Sequence, residues 1–176
     1  YGIYAYASAA IALVASFATL GLQQIVVREM VKNPSKEYKI IITSFVLQLI
    51  SSSIICFATI IFFNNFINET QIVKIIVSIF AFSVIFKSSD TVRYWFEAKV
   101  QSKYIVWCEN IVFVIISLIK IILILLNYDL IYFALVFLFE SILIFFALIF
   151  LFLYKNNTKN YVFPSITQSI ELIKFS

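Results

Sequence analysis

Three charged residues interrupt long apolar runs: Glu109, Lys120 and Glu140. A charge inside an apolar helix of membrane length costs at least about 2.5–3.5 kcal/mol on insertion scales, so each is expected to face other helices or a wet cavity. Lys120 follows Glu109 by eleven positions, which at roughly 100° per residue returns to within about 20° of the same helix face. Glu140 stands in the next apolar run. If the two runs form an antiparallel hairpin, the depths of Lys120 and Glu140 differ by about four residues, or roughly 6 Å of helical rise, which a lysine stem can span. Three readings stand. Lys120 and Glu140 form a structural pair that ties two helices together; or Lys120 faces a cavity and binds an anionic substrate while Glu140 or Glu109 sets its charge or exchanges protons; or the lysine snorkels to the interface. Glu109 lies nearer a membrane edge, where interfacial water solvates it.

Arg28 and Arg93 fall in the short polar links between apolar runs. There they could collect phosphate headgroups or a pyrophosphate, although topology alone also accounts for them. Familiar covalent chemistry finds no support. The chain has no histidine, and no phosphate-binding loop, nucleotide fingerprint or serine–histidine pair. Cys56 and Cys108 each sit alone in or beside an apolar run, which gives neither a disulfide framework nor a soft-metal site. No enzyme activity, cofactor or metal is expected.

The elements that must position these residues follow from composition. Apolar residues make up 63% of the 176, charged residues only 12%, and the mean hydropathy is +1.04. Soluble domains carry about 25% charged residues, so this is the composition of a membrane protein. The net charge of +4 comes from short segments between apolar runs and not from one basic face, which argues against a nucleic-acid partner. About 20 apolar residues cross a bilayer core as a helix. Five segments approach that length: residues 4–22, 40–63, 72–86, 105–126 and 130–154. None alternates apolar and polar positions as a membrane strand would. The predicted fold is therefore an all-α polytopic transmembrane helix bundle.

Each segment carries its own expectation. The first is rich in alanine, serine and glycine, which permits close helix contact and an interior position. In the second, Ser44, Gln48, Ser51 and Ser52 make a polar stripe that either faces the bundle or bonds its own preceding carbonyls. The third is the shortest, with Lys74 snorkelling at its start, and it is predicted to end at Lys87. Only Asn127, Tyr128 and Asp129 separate the fourth and fifth, which makes a tight hairpin.

Charge in the links sets direction. Gln23–Lys39 and Lys87–Tyr104 each hold four basic residues, and the tail after Tyr154 adds Lys155, Lys159 and Lys174. Asn64–Gln71 and Asn127–Asp129 hold none. By the positive-inside rule the basic links are cytoplasmic, so the first, third and fifth spans run inward. The two long basic links are expected to be partly amphipathic helix at the interface, with Tyr94, Trp95, Tyr104 and Trp107 in the headgroup belt. Asn68-Glu69-Thr70 forms a nominal glycosylation sequon in an outer link. The chain opens at Tyr1 without a methionine and stops at Ser176 just after an amphipathic stretch, 165–176, begins; it is expected to be part of a longer protein.

The opening Tyr1-Gly2-Ile3-Tyr4-Ala5-Tyr6-Ala7, the small-residue helix after it, Gly21-Leu22 and the Arg28-Glu29 pair resemble the second transmembrane helix of polysaccharide biosynthesis flippases. These are the O-antigen and capsular repeat-unit exporters of the multidrug, oligosaccharidyl-lipid and polysaccharide exporter superfamily. The Lys87–Tyr104 link is similar to that family's fourth-to-fifth connection, and Ser165–Ser176 to the lead-in to its seventh helix. The resemblance implies helices two to six, within the N-terminal six-helix lobe of a two-lobe exporter in a bacterial inner membrane. It implies a transporter that moves an undecaprenyl-pyrophosphate-linked oligosaccharide to the outer leaflet by alternating access. Implied partners are that substrate, membrane lipids, the remainder of the same chain and a polysaccharide polymerase or export machinery. Two alternatives stand beside it: a cation-coupled multidrug exporter of the same superfamily, which calls for acidic cavity residues, and a structural membrane protein that transports nothing.

Overall fold

The computed structural model describes residues 2–18, 21–67 and 69–156. Seven α-helices follow one another there: α1 (Gly2–Ala18), α2 (Leu22–Lys32), α3 (Glu37–Phe66), α4 (Gln71–Phe86), α5 (Asp90–Ala98), α6 (Lys103–Leu125) and α7 (Leu130–Asn156). Short 3-10 turns, Pro34–Lys36 and Lys87–Ser89, lead into α3 and α5. There is no strand among the described residues. The amphipathic stretch 165–176, Lys159, Lys174 and the sequon residue Asn68 lie outside them.

Four stretches are long and apolar enough to cross a membrane: Pro34–Phe66, Gln71–Ala98, Lys103–Leu125 and Leu130–Lys155. One expected boundary changes. The first segment does not run on as one helix to residue 22. It ends at Ala18, and Gly21, at φ +62°, opens α2 instead; glycine takes that left-handed geometry without a Cβ penalty. The α-helix of the third, α4, ends at Phe86, but the chain stays helical beyond it. Lys87 is exposed, while Ser88, Ser89, Thr91, Val92, Trp95 and Phe96 beyond it are buried. The helical run therefore continues to Ala98, and the supposed link is largely a packed extension of the span.

The third segment, weakest in the sequence, is central in the fold. Helix α4 packs on α1, α3 and α7 and buries Val73, Ile76, Val77, Phe80, Ala81 and Val84. Phe80 meets Tyr4 of α1 edge-on at 5.2 Å and Phe137 of α7 at 4.7 Å. Ala7 and Ala15, with Ile11 between them at four-residue spacing, turn toward this core. Ala5, Ala9, Ala12 and Leu13 point away from it, so only one face of α1 is interior to the described bundle.

A second core lies toward the basic links. Val26 and Met30 of α2, Ile41 of α3, Val92, Trp95 and Phe96 of α5, Ile105 of α6 and Leu148 of α7 converge there. Tyr94 and Trp95 belong to this core and not to an exposed belt. Trp95 packs edge-on against Phe152 at 5.1 Å and takes Lys99 over its ring at 4.3 Å. Trp107, at 71% exposed, keeps the outward position expected of it. Tyr104 is half-buried, with the Lys155 ammonium 4.2 Å from its ring centre.

Both readings of the α3 stripe hold in part. Ser44, Gln48 and Ser52 are buried on one face, whereas the Ser51, Ser52 and Ser53 hydroxyls donate to the carbonyls of Gln48 and Leu49. Gln48 is 0% exposed, and its amide lies against the Tyr94 side chain of α5.

Two helix ends share one capping geometry. At the α6–α7 hairpin, Asn127 N donates to Ile124 O and Tyr128 N to Leu123 O, with Asn127 at φ +53°. After α5, Val100 N donates to Glu97 O and Gln101 N to Phe96 O, with Val100 at φ +56°. This is the Schellman pattern, whose left-handed position favours glycine or asparagine.

Candidate functional site

The charged residues singled out in the sequence fall into two ion-pair groups. In the first, α6 and α7 pack side by side through the Asn127–Asp129 turn. That register brings Lys120 Nζ to 3.0 Å from Glu140 Oε2, with side chains 35% and 22% exposed. The hairpin arithmetic allowed this juxtaposition, and the lysine's charge is compensated by a partner on the neighbouring helix.

Arg93 organises the second group. Its Nε lies 2.9 Å from Asp90 Oδ1, one turn back on α5, and its Nη2 lies 2.7 Å from Glu109 Oε1 on α6. Neither contact at Arg93 Nε or Glu109 Oε1 has hydrogen-bond angles, so charge and not alignment holds them. Glu109 is expected to be solvated at the interface or to join an ion pair, and Arg93 either to collect phosphates or simply to mark a basic link. The structure places them against each other, because α5 continues the third span and passes the start of α6. Arg28 is exposed on α2, apart from both groups.

Arg93 also lines a cleft of about 450 Å³. Three parts of the chain form it: the α1–α2 junction with Gly21, Leu22 and Gln23; the α4–α5 joint from Phe86 to Glu97; and Ser141 and Ile144 on α7. Each wall has a local cause. Gly21, left-handed at φ +62°, starts α2 and puts Leu22 and Gln23 on the lining. The 3-10 turn at Lys87–Ser89 sets Lys87, Asp90, Arg93, Tyr94 and Glu97 along the facing side. Gln23 Nε2 donates to both Glu97 oxygens, at 3.2 and 3.0 Å, and so joins α2 to α5 across the cleft. Gln23 and Glu97 were not identified from the sequence. Nothing in the spacing of two polar residues on separate helices, 74 positions apart, marks them as partners.

A smaller cleft of about 360 Å³ lies between the end of α2 and α5, lined by Met30, Pro34, Glu37, Trp95 and Lys99 among others. There Lys99 Nζ bonds Glu37 of α3 at 3.0 Å. Among the described residues no group of three or more histidine, cysteine, aspartate or glutamate side chains could hold a metal. Cys56 is buried and Cys108 half-buried, both as free thiols.

The profile of the family described as "Polysaccharide biosynthesis protein" matches residues 1–176. No curated protein and no solved structure matches the chain.

Proposed function

Because the chain belongs to the polysaccharide biosynthesis protein family, we propose that it forms part of an exporter that flips a polyprenyl-pyrophosphate-linked oligosaccharide, of the undecaprenyl type, from the cytoplasmic to the outer leaflet of a bacterial inner membrane. The observation that carries this reading is the family match over the whole of a helical, membrane-spanning bundle. A pyrophosphate with sugars attached cannot cross hydrocarbon unaided, since unpaired charge and polar groups are costly there. A helical lobe with a hydrated polar cleft provides one wall of a path while the lipid tail stays in the bilayer. Rocking of such a lobe against a second one gives alternating access without covalent chemistry. The remainder of the exporter, the surrounding lipids and a polysaccharide polymerase or export machinery are its proposed partners.

The drug-exporter alternative calls for an acidic residue available to a coupling cation. Glu140 is paired with Lys120 and Glu109 with Arg93, whereas Glu97 faces only the Gln23 amide; what favours the oligosaccharide reading is the family match.

The test is the leaflet distribution of lipid-linked oligosaccharide in cells with and without the intact protein. Build-up in the inner leaflet on removal, cured by restoring the protein, is the expected result. An unchanged distribution would overturn the proposal.

A further inference from the structure

The cleft between the α1–α2 junction, the α4–α5 joint and α7 is built for a neutral ligand. Its charged lining residues are Lys87, Arg93, Asp90 and Glu97, two bases and two acids that cancel. Behind Arg93, Glu109 adds a further acid at 2.7 Å. A pyrophosphate arriving here would meet a guanidinium already held by two carboxylates, with three acids in all against two bases. It gains no net attraction sufficient to offset its own desolvation.

What the cleft offers instead is hydrogen-bonding capacity of both kinds. Glu97 takes both its hydrogen bonds in the described structure from one amide nitrogen, Gln23 Nε2, and a carboxylate has roughly four acceptor sites. Arg93 carries five N–H donors in a fixed fork, and its close contacts to Asp90 and Glu109 are ion pairs without hydrogen-bond alignment. Lys87 is exposed, and the Tyr94 side chain is part of the wall. Apolar surface from Phe86 and Ile144 lies alongside. Carboxylates and guanidinium arranged around a neutral volume, next to an aromatic ring, match a molecule that presents many hydroxyls and a few C–H faces.

From this we infer that the cleft binds the hydroxyl-rich saccharide portion of the substrate and leaves the pyrophosphate to be held elsewhere, with Gln23 and Glu97 as direct saccharide contacts. The inference rests on the export reading for the identity of the sugar-bearing ligand. It adds where that ligand's neutral part sits and which of its two chemistries this cleft rejects. The volume, about 450 Å³, lies in the range of small-molecule sites, roughly 300–1,000 Å³, and so accommodates a few sugar residues but not a long chain.

The experiment uses the intact protein, purified in detergent, and two separate probes: oligosaccharide released by mild acid from the lipid-linked pool of the same cells, and inorganic pyrophosphate. Titration calorimetry is expected to show binding of the released oligosaccharide. Glu97→Gln is expected to weaken it by about tenfold or more, the loss of a charge-assisted hydrogen bond, and Gln23→Leu by about threefold to tenfold, the loss of a neutral one, with pyrophosphate affinity unchanged and pyrophosphate failing to compete. Thermal melting in the absence of ligand checks that both variants remain folded. Should either unfold, the competition measurement on the unmutated protein still decides. Absence of oligosaccharide binding, wild-type affinity in both variants, or displacement of the sugar by pyrophosphate would each overturn the assignment. The leaflet assay separates the two levels of failure: normal flipping with an indifferent cleft removes only this site, whereas an unchanged leaflet distribution removes the export reading itself.

Discussion

Arg93 Nη2 stands 2.7 Å from Glu109 Oε1 and so ties the extension of the third span to the start of α6. The two side chains are 34% and 29% exposed, too wet for the full energy of a buried pair and too dry for the charges to be indifferent. Arg93→Ala is expected to destabilise by more than Glu109→Ala, because it leaves two carboxylates, Asp90 and Glu109, without their cation. A double-mutant cycle on thermal melting should return a coupling of about 1 kcal/mol for Arg93 with Glu109. A coupling of zero would mean that the contact contributes nothing.

The Lys120–Glu140 pair sits deeper in the α6–α7 hairpin. Lys120→Ala should lower stability by about 1–3 kcal/mol, between the values for exposed and buried pairs, with reduced protein in the membrane. On the reading that the pair holds two helices together, the exchanged pair, Lys120→Glu with Glu140→Lys, is expected to recover both membrane level and the proposed transport. Recovery of level without transport would place Lys120 on the substrate path instead.

Val100 occupies the left-handed position of the cap after α5, at φ +56° and 92% exposed. A β-branched residue is strained there and its side chain gains nothing from burial. Val100→Gly is expected to raise stability by about 1 kcal/mol, read as a higher Tm. Asn127 holds the equivalent position after α6 and already suits it, so Asn127→Gly should change little.

The alternation of basic and non-basic links predicts sidedness. With Cys56 and Cys108 replaced by serine, a single cysteine at Ser35 or Ser102, both exposed, should react with an impermeant maleimide only in inverted vesicles. One at Asn127, also exposed, should react only in intact cells. The opposite pattern would reverse the assigned direction of every span.

Long apolar runs and their charged punctuation determine a good deal locally. A helix satisfies its own backbone in hydrocarbon whatever its neighbours do, so the all-α bundle could be read from the chain alone. So could the tight α6–α7 turn at Asn127–Asp129. The depths of Lys120 and Glu140 followed from the same arithmetic, because a three-residue link leaves two antiparallel helices almost no freedom of register.

Tertiary packing decided what local pattern could not. Whether Tyr94 and Trp95 meet headgroups or a protein core depends on α2, α3 and α7 closing over them, and that contact is not a property of their own helix. That the stretch after Lys87 packs against the core was hidden for the same reason: one exposed lysine reads as an edge until its neighbours Ser88, Thr91 and Val92 are seen to be buried. The pairing of Arg93 with Glu109, the bridge from Gln23 to Glu97, and the balanced cleft between them all depend on which helix faces meet. Hydrophobic runs and link charges encode the length and direction of each helix, whereas its rotation about its own axis is chosen only when the helices pack together, and the chemistry of the cleft follows from that choice.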